Sequence, residues 1–291
     1  MLKCLSILLM IVIHLVALTC QAQKSERALE DEFVKKYAPV NLKTHGFTLA
    51  VDSKVAEVHQ LFNDVSANFY FYGDKKEFEK KVEKIIELDP NYPSGILMSG
   101  FYVQDPEEYK KLVTKAYNLS KKTTLKSERD IMQAEYALLV EEDYPKAQKY
   151  FKKVVDMYPD SAAAIWSLGM AYYYNNEYDK ALACYKKSTE LIPNLPKGYE
   201  FMSVMFYQKK QYKKALEYLE LAKKHGAKTQ NDIYFAEYEH IVYYKNGLYE
   251  KTMKSIKKAY TFGKYFKNSA SLKKTYQVAK TKLDSIQGVK L

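Results

Sequence analysis

The chain has 291 residues, enough for two ordinary domains or for one elongated domain with a substantial core. Lys and Arg number 46 against 35 Asp and Glu, which gives a formal net charge of +11. The lysines occur mostly as pairs spread along the chain, a pattern typical of solvated helix faces, and this disfavours a nucleic-acid partner. Of the 3 cysteines, we expect only Cys184 in the mature chain, which excludes an internal disulfide.

The first 22 residues have the pattern of a secretory signal peptide. Lys3 provides the positive end, residues 5–18 form the apolar run, and a small-x-small cleavage site ends at Ala22. A membrane anchor is the alternative, but the run is shorter than the ~20 apolar residues of a spanning helix and contains His14. A lipid anchor at Cys20 fits less well, because the preceding residues depart from the usual lipoprotein pattern. A disulfide-free exported chain of this size fits the periplasm or cell envelope of a bacterium.

Internal repetition is the strongest pattern in the sequence. Four similar segments follow one another: DYPKAQKYFKKVVDMYPD, EYDKALACYKKSTELIPN, QYKKALEYLELAKKHGAK and LYEKTMKSIKKAYTFGKY. Their shared small residue lies at Ala147, Ala181 and Ala215, each 34 residues apart, and then at Thr252. A fixed period of this length predicts an array of similar helical units, none of which is stable alone.

The second segment and the helix before it carry a family resemblance. The matching residues are Ile165, Leu168, Gly169, Tyr172, Ala181, Tyr185 and Pro193. In this spacing they resemble the tetratricopeptide repeat, a helix-turn-helix unit of 34 residues. The resemblance implies an all-α fold, a right-handed superhelical solenoid of helix-turn-helix repeats. We expect small residues at Gly169 and Ala181 because the two helices must approach closely. We expect Asn175 and Asn176 in the tight turn between the helices because asparagine tolerates left-handed backbone angles.

Carried along the chain, this spacing predicts four regions. Residues 1–22 are the signal peptide, and residues 23–58 are a charged, leading segment, disordered in part or forming a short helix. For the stretch HGFTLAVDSKVAEV at its end we favour helix over strand. Residues 59–266 are the repeat array, with about six repeats, strongest over 128–229, and predicted first helices beginning near residues 59, 93, 128, 162, 196 and 233. Residues 267–291 are a capping helix and tail.

The resemblance also implies which residues line a concave groove, because in this family the first helix of each repeat faces inward. The groove positions fall at Met132, Tyr136, Trp166, Met170, Tyr173, Tyr174, Lys197, Glu200, Val204 and Tyr207. The face is unusually apolar for a surface that meets water, which is typical of a binding site. Two alternatives stay open: the side chains bury one another, or the amino-terminal segment occupies the groove.

The known residue patterns of catalysis and metal binding are missing from the sequence. There is no HExxH, CxxC or glycine-rich phosphate loop, and Glu237 with His240 on one helix face is ordinarily a solvated pair. The Lys and Asn of the family's carboxylate clamp are also missing. We therefore predict no cofactor, no metal and no enzymatic activity. The expected function is a scaffold or adaptor that binds a peptide segment or partner protein; the alternative is a protein that stacks a glycan or other small molecule on its aromatic rings.

Overall fold

The computed structural model describes residues 26–38, 40, 49–71, 73–103, 105–227, 233–259 and 270–288. Within these ranges every regular element is helical, and we number the helices α1 to α14 along the chain. Their bounds are α1 26–37, α2 Ala56–Tyr70, α3 Lys75–Leu88, α4 Pro93–Ser99, α5 Pro106–Ser120, α6 Lys126–Leu139, α7 Tyr144–Met157, α8 Ala162–Tyr174, α9 Tyr178–Leu191, α10 Pro196–Gln208, α11 Tyr212–Lys224, α12 Ile233–Lys245, α13 Tyr249–Ala259 and α14 Ala270–Gly288. A 3-10 turn, Gly100–Tyr102, follows α4.

Helices that follow one another in the chain pack against one another, from α4 through α7 and again from α9 through α14. The predicted all-α repeat solenoid is therefore confirmed. Helices α4, α8, α10 and α12 begin at the predicted residues 93, 162, 196 and 233, whereas α2 and α6 begin two or three residues early. The helix starts follow local rules: Pro106 and Pro196 occupy first-turn positions, and the Asp143 carboxylate accepts a hydrogen bond from the Lys146 N–H at 3.0 Å.

The turn inside each of four repeats has the same backbone conformation. One residue per turn has positive φ, and these residues are Glu142 (55°), Asn176 (60°), Lys210 (59°) and Gly247 (73°). The first three are 34 residues apart, and Asn176 belongs to the pair Asn175-Asn176 that the sequence predicts for this turn. The left-handed residue reverses the chain so that the following N–H reaches a carbonyl of the preceding helix, as in the bond of 2.9 Å from Gln211 N to Phe206 O.

Small residues bring the paired helices together, as the sequence predicts. The four repeated positions Ala147, Ala181, Ala215 and Thr252 are each 0% exposed. In an earlier repeat the same need is met by glycine, because a Cβ on Gly100 would lie only 2.3 Å from Cδ2 of Tyr109 in α5. The predicted period therefore marks fully buried positions, where small residues fit between packed neighbours.

The chain folds into two compact units. Unit 1 comprises Met1–Val65 and Glu79–Ala171, and unit 2 comprises Ser66–Phe78 and Tyr172–Leu291. The predicted signal peptide lies outside the described residues. Among the helices that are described, none combines the length and the apolar character needed to cross a membrane.

Helix α1 is an integral part of unit 1. Phe33 and Val34 pack on an apolar cluster that includes Leu125, Met157 and Tyr158. On the polar side of the helix, the buried Glu30 accepts a hydrogen bond of 2.8 Å from the Ser127 N–H, at the start of α6, and one of 2.6 Å from the Tyr158 hydroxyl. Two ion pairs flank these bonds: Lys126 with Glu26 at 2.7 Å, and Arg27 with Asp160 at 2.7 Å. The leading segment thus forms a helix that caps the N-terminus of α6 with a carboxylate.

The prediction of helix for HGFTLAVDSKVAEV is wrong over residues 49–55, which are irregular. Residues 45–48 lie outside the described chain, and helix begins at Ala56. The physical reason lies in side-chain hydrogen bonds that compete with helix formation. The Asp52 carboxylate accepts from the Leu125 N–H at 2.7 Å, and the Ser53 hydroxyl donates to Asp89 at 2.7 Å. These bonds fasten the segment to two other parts of unit 1.

Unit 2 is built around helices α10 to α12. Its core cluster includes Phe206 of α10, Leu219 of α11, and Val242 and Tyr243 of α12. At its end, Leu272 of α14 packs with Ile256 and Ala259 of α13. The predicted domain boundaries stay predictions.

Candidate functional site

The structure separates the predicted groove residues by burial. In unit 1, Met132 is 1% exposed and packs in a core cluster with Ile96, Leu97 and Val113, and Trp166 is 8% exposed. Tyr136 and Met170 are half-buried. Met132 and Trp166 are therefore buried, whereas the groove prediction needs them to be accessible. Sequence periodicity could not detect the burial of Met132, because its neighbours in the cluster belong to α4 and α5.

In unit 2 the charged pair among the predicted groove residues is also buried. Lys197 is 6% exposed and Glu200 is 4% exposed, and their Nζ and Oε2 atoms are 3.9 Å apart. The Lys197 ammonium lies 4.8 Å from the ring centroid of Phe69, which belongs to the short 66–78 part of unit 2. A segment from early in the chain thus covers this part of α10. Val204 and Tyr207 are half-buried.

A row of half-buried tyrosines follows the repeat turns of unit 2. One tyrosine of each pair is the last residue but one of the first helix of a repeat, and the other is the first residue of the second helix. The pairs, with the distances between ring centroids, are Tyr173 and Tyr178 at 6.2 Å, Tyr207 and Tyr212 at 5.6 Å, and Tyr244 and Tyr249 at 6.0 Å. We call these six residues the tyrosine edge. Beside them, Tyr174 is 41% exposed and lies 5.4 Å from Tyr173.

The repeat fold explains why the tyrosine edge exists. Each pair flanks a left-handed turn, at Asn176, Lys210 or Gly247, so the same turn geometry recurs with the same ring contact. The unit 1 repeat at 126–157 has Leu139 and Tyr144 at the equivalent positions, so the complete pairs belong to unit 2. Three of the predicted groove residues, Tyr173, Tyr174 and Tyr207, lie at or beside the edge.

The edge presents aromatic surface together with hydroxyl groups and cations. Burial raises the pKa of the Tyr173 hydroxyl, although its hydrogen bond with Gln208 acts in the opposite direction, so the group stays protonated. The Lys245 ammonium lies 5.5 Å from the ring centroid of Tyr212, and that of Lys282 lies 5.7 Å from the centroid of Tyr249. Such a surface offers apolar contact, neutral hydrogen bonds and attraction to anions.

The sequence comparisons agree with this geometry. Two tetratricopeptide repeat profiles match the chain, one over residues 132–161 and the other over residues 167–195. The chain contains tetratricopeptide repeats in these two segments. No curated protein matches its sequence.

Solved structures resemble the fold of this tetratricopeptide protein at low sequence identity. The APC/C hetero-tetramer Cut9–Hcn1 is 11% identical with a TM-score of 0.51, and the match covers 91% of this chain and 48% of that chain. PilF of Pseudomonas aeruginosa is 13% identical with a TM-score of 0.44, covering 78% and 96%. A tetratricopeptide repeat protein from Parabacteroides merdae is 14% identical with a TM-score of 0.46, covering 77% and 98%. Identities this low show the fold alone.

A buried polar cluster in unit 2 is structural. Glu239 accepts hydrogen bonds from Lys223 of α11, from Ser255 of α13 at 2.7 Å, and from Tyr243 at 3.3 Å. Burial lowers the pKa of Lys223, but the hydrogen bonds with Glu239 and Tyr243 outweigh it, so the net pKa is raised and the ammonium persists. The cluster therefore joins three helices through a paired charge.

The expectation of a solvated Glu237–His240 pair is wrong for His240, which is buried; the Glu237 side chain lies outside the described part. In the described part of the chain, no three His, Cys, Asp or Glu side chains are grouped so that they could hold a metal ion. Burial raises the pKa of the Cys184 thiol to about 11, which is unsuited to a nucleophile at neutral pH.

Proposed function

We propose that this tetratricopeptide repeat protein is a non-enzymatic, exported scaffold that holds a partner protein or peptide segment at its repeats. The observation that supports the proposal is the tyrosine edge, which repeats one ring contact at each of three consecutive turns. A feature needed only to close a turn would not require tyrosine on both sides, because the repeat with Leu139 and Tyr144 closes the same left-handed turn.

Half-buried tyrosines suit a protein partner for physical reasons. Each ring is already ordered by its neighbour, so little side-chain entropy is lost when a partner covers the exposed part. The ring provides apolar area, and the hydroxyl can donate or accept a hydrogen bond at the rim of the contact. Tyrosine is accordingly enriched in interfaces and among their energetically dominant residues.

The proposed contact residues in unit 2 are those that the structure leaves at least partly accessible. They are the tyrosine edge together with Tyr174 and Val204. In unit 1 we propose Tyr136 and Met170, which are half-buried. Met132, Trp166, Lys197 and Glu200 are buried, and we propose that they support the fold.

Export and location in a bacterial envelope are also part of the proposal. Support comes from the sequence, where residues 1–22 have the three regions of a signal peptide. Fractionation of a bacterium expressing the full chain, with mass spectrometry of the mature N-terminus, tests this part. Cleavage after Ala22 is expected, and retention of residues 1–22 on a cytoplasmic chain would overturn it.

Affinity capture from an envelope extract tests the binding function. The full chain serves as bait, and the variant carries Tyr174→Ala, Tyr207→Ala and Tyr244→Ala. The matched control is Tyr150→Ala, a half-buried tyrosine on the second helix of its repeat, where Lys153 stacks on its ring at 4.3 Å. We expect a partner retained by the wild type and the control and lost from the triple variant, with helical circular dichroism unchanged. Equal capture by a folded triple variant would refute the role of the edge.

A glycan or small molecule stacked on the same rings is the second candidate function. The half-buried tyrosine faces favour it, because sugars stack on flat aromatic surfaces. Trp166, the chain's single tryptophan and its largest ring, is however buried, which favours the protein partner. Calorimetric titration with envelope sugars separates the two, since heat that is lost in the triple variant would support a glycan.

A further inference from the structure

The net charge of the protein is concentrated in one of its two units. Unit 2 contains 25 Lys and 13 Asp or Glu, a formal charge of +12, and has no arginine. Unit 1 contains 21 Lys or Arg and 22 Asp or Glu, a formal charge of −1. The +11 of the chain therefore belongs to the unit that carries the tyrosine edge. Charge of one sign on one unit attracts partners of the opposite sign and accelerates their association.

The same change of sign occurs in the repeat turns themselves. The turn of the unit 1 repeat reads Glu141-Glu142-Asp143, and the residues 34 and 68 positions later read Asn-Asn-Glu at 175–177 and Lys-Lys-Gln at 209–211. These turns share the left-handed residue at their second position, so equivalent backbone sites carry opposite charge. The turn fold does not require this difference, because Glu142 and Lys210 both adopt the conformation.

Ion pairs within unit 2 leave an excess of cations at the edge. Two acidic residues beside these turns are paired with lysine, since Asp179 pairs with Lys209 and Glu177 pairs with Lys180. The exposed lysines that remain beside the turns include Lys210, Lys213 and Lys245. Lys245 also lies over the ring of Tyr212, so an ammonium group and a tyrosine ring are adjacent at this part of the edge.

We infer that the tyrosine edge of unit 2 binds an acidic peptide segment of a partner protein. Carboxylates of the segment pair with the lysines at the turns, and its apolar side chains lie on the tyrosine rings. The inference rests on the proposed function and specifies the chemistry of the partner. A nucleic acid fits less well, because the cations of unit 2 are all lysine, which lacks the bidentate fork of arginine for phosphate.

Selection from a library of random twelve-residue peptides displayed on phage tests the inference with the full chain as target. We expect the retained peptides to be enriched in Asp and Glu. Synthetic labelled copies should bind in fluorescence anisotropy with affinity that falls as salt is raised. The edge variant Lys210→Glu with Lys245→Glu should weaken binding about tenfold or more, since rim charges set the attraction. Glutamate is compatible with the backbone at residue 210, because Glu142 occupies the equivalent position.

The matched control is Lys273→Glu with Lys274→Glu, which makes the same change in net charge at exposed positions of α14. We expect it to alter the affinity by less than about twofold. An equal loss in the control would overturn the inference, because the attraction would then be diffuse. Preference for a twelve-nucleotide oligothymidylate, displacing the peptide through the same tyrosines, would also overturn it in favour of a nucleic acid.

The remaining outcomes separate the inference from the proposed function. If the selected peptides are neutral or basic and lose binding when Tyr207 and Tyr244 are replaced by alanine, the inference of an acidic partner is wrong and the proposed scaffold function still stands. Selection of no peptide by the wild type would also overturn the inference. The envelope capture experiment then decides independently whether the edge binds any protein.

Discussion

Replacing Glu30 by alanine tests whether the first helix is energetically part of unit 1. The Glu30 carboxylate is 3% exposed and accepts two hydrogen bonds, from the Ser127 N–H at 2.8 Å and the Tyr158 hydroxyl at 2.6 Å. Alanine leaves both buried donors without this acceptor. A buried unsatisfied donor costs about 1–3 kcal/mol, so the two together predict a loss of about 3 kcal/mol in the free energy of unfolding of this region.

Hydrogen exchange with mass spectrometry measures this loss locally, which suits a repeat protein whose units need not unfold together. A loss of about 3 kcal/mol corresponds to about a hundredfold faster exchange for amides of α1 and of the first turn of α6. Peptides from α10 and α11 should not change. Glu32→Ala, on an exposed position of the same helix, is the control. Exchange in Glu30→Ala within threefold of the wild type would refute the reasoning.

Three further predictions concern the turns, a buried carboxyl and the thiol. Lys210→Gly should raise the free energy of unfolding, measured in urea, by about 1 kcal/mol, because glycine adopts φ of 59° without strain. Gly247→Ala should lower the free energy of unfolding by about the same amount. A destabilised Lys210→Gly variant would contradict this reasoning. Burial raises the pKa of Glu128 from 4.5 to about 8, so the native chain binds a proton that the unfolded chain releases, and stability falls as pH rises from 4.5 to 8. Glu128→Gln keeps an acceptor for Ser94 and should remove a few kcal/mol of this pH-dependent loss of stability, measured from melting curves at several pH values. An unchanged pH dependence would contradict the prediction. Iodoacetamide at pH 8 should alkylate Cys184 about a hundredfold more slowly than a free thiol, because its pKa of about 11 leaves little thiolate; reaction at the free rate would exclude the burial.

The repeated part of the fold could be predicted from sequence because its determinants are local. A small residue every 34 positions, a turn residue that tolerates positive φ and a helix-starting proline each act within one repeat. They predict the first residue of α8, α10 and α12 correctly, and they place Asn175 and Asn176 in a turn, of which Asn176 is the left-handed residue. Such features depend on neighbouring backbone rather than on distant parts of the chain.

The burial of the groove residues could not be predicted in the same way. Lys197 is covered by Phe69, more than a hundred residues earlier, and no period in the sequence connects the two. The irregular conformation of residues 49–55 could not be predicted from helix propensity for the same reason, because the Asp52 carboxylate accepts a hydrogen bond from the distant Leu125 N–H. Long-range contacts decide these sites, and a single sequence shows only which residues could make them.

The tyrosine edge could have been found from the sequence, but only in part. Each of the four repeated segments has tyrosine at its second position, at Tyr144, Tyr178, Tyr212 and Tyr249. Attention to the first helix of each repeat identifies Tyr173 and Tyr207 as groove residues and misses their partners on the second helix. Recognising the pairs requires the turn geometry that brings the two helices' ends together.

The docking of α1 has a consequence for the order in which unit 1 can assemble. Repeat proteins usually gain contacts between neighbours in the chain, which form quickly because the intervening loops are short. The hydrogen bonds of Glu30 instead close loops of 97 and 128 residues. During synthesis from the N-terminus, the helix that emerges first must therefore wait for α6 and α7 to emerge before it can dock, so its attachment is expected among the late events of folding.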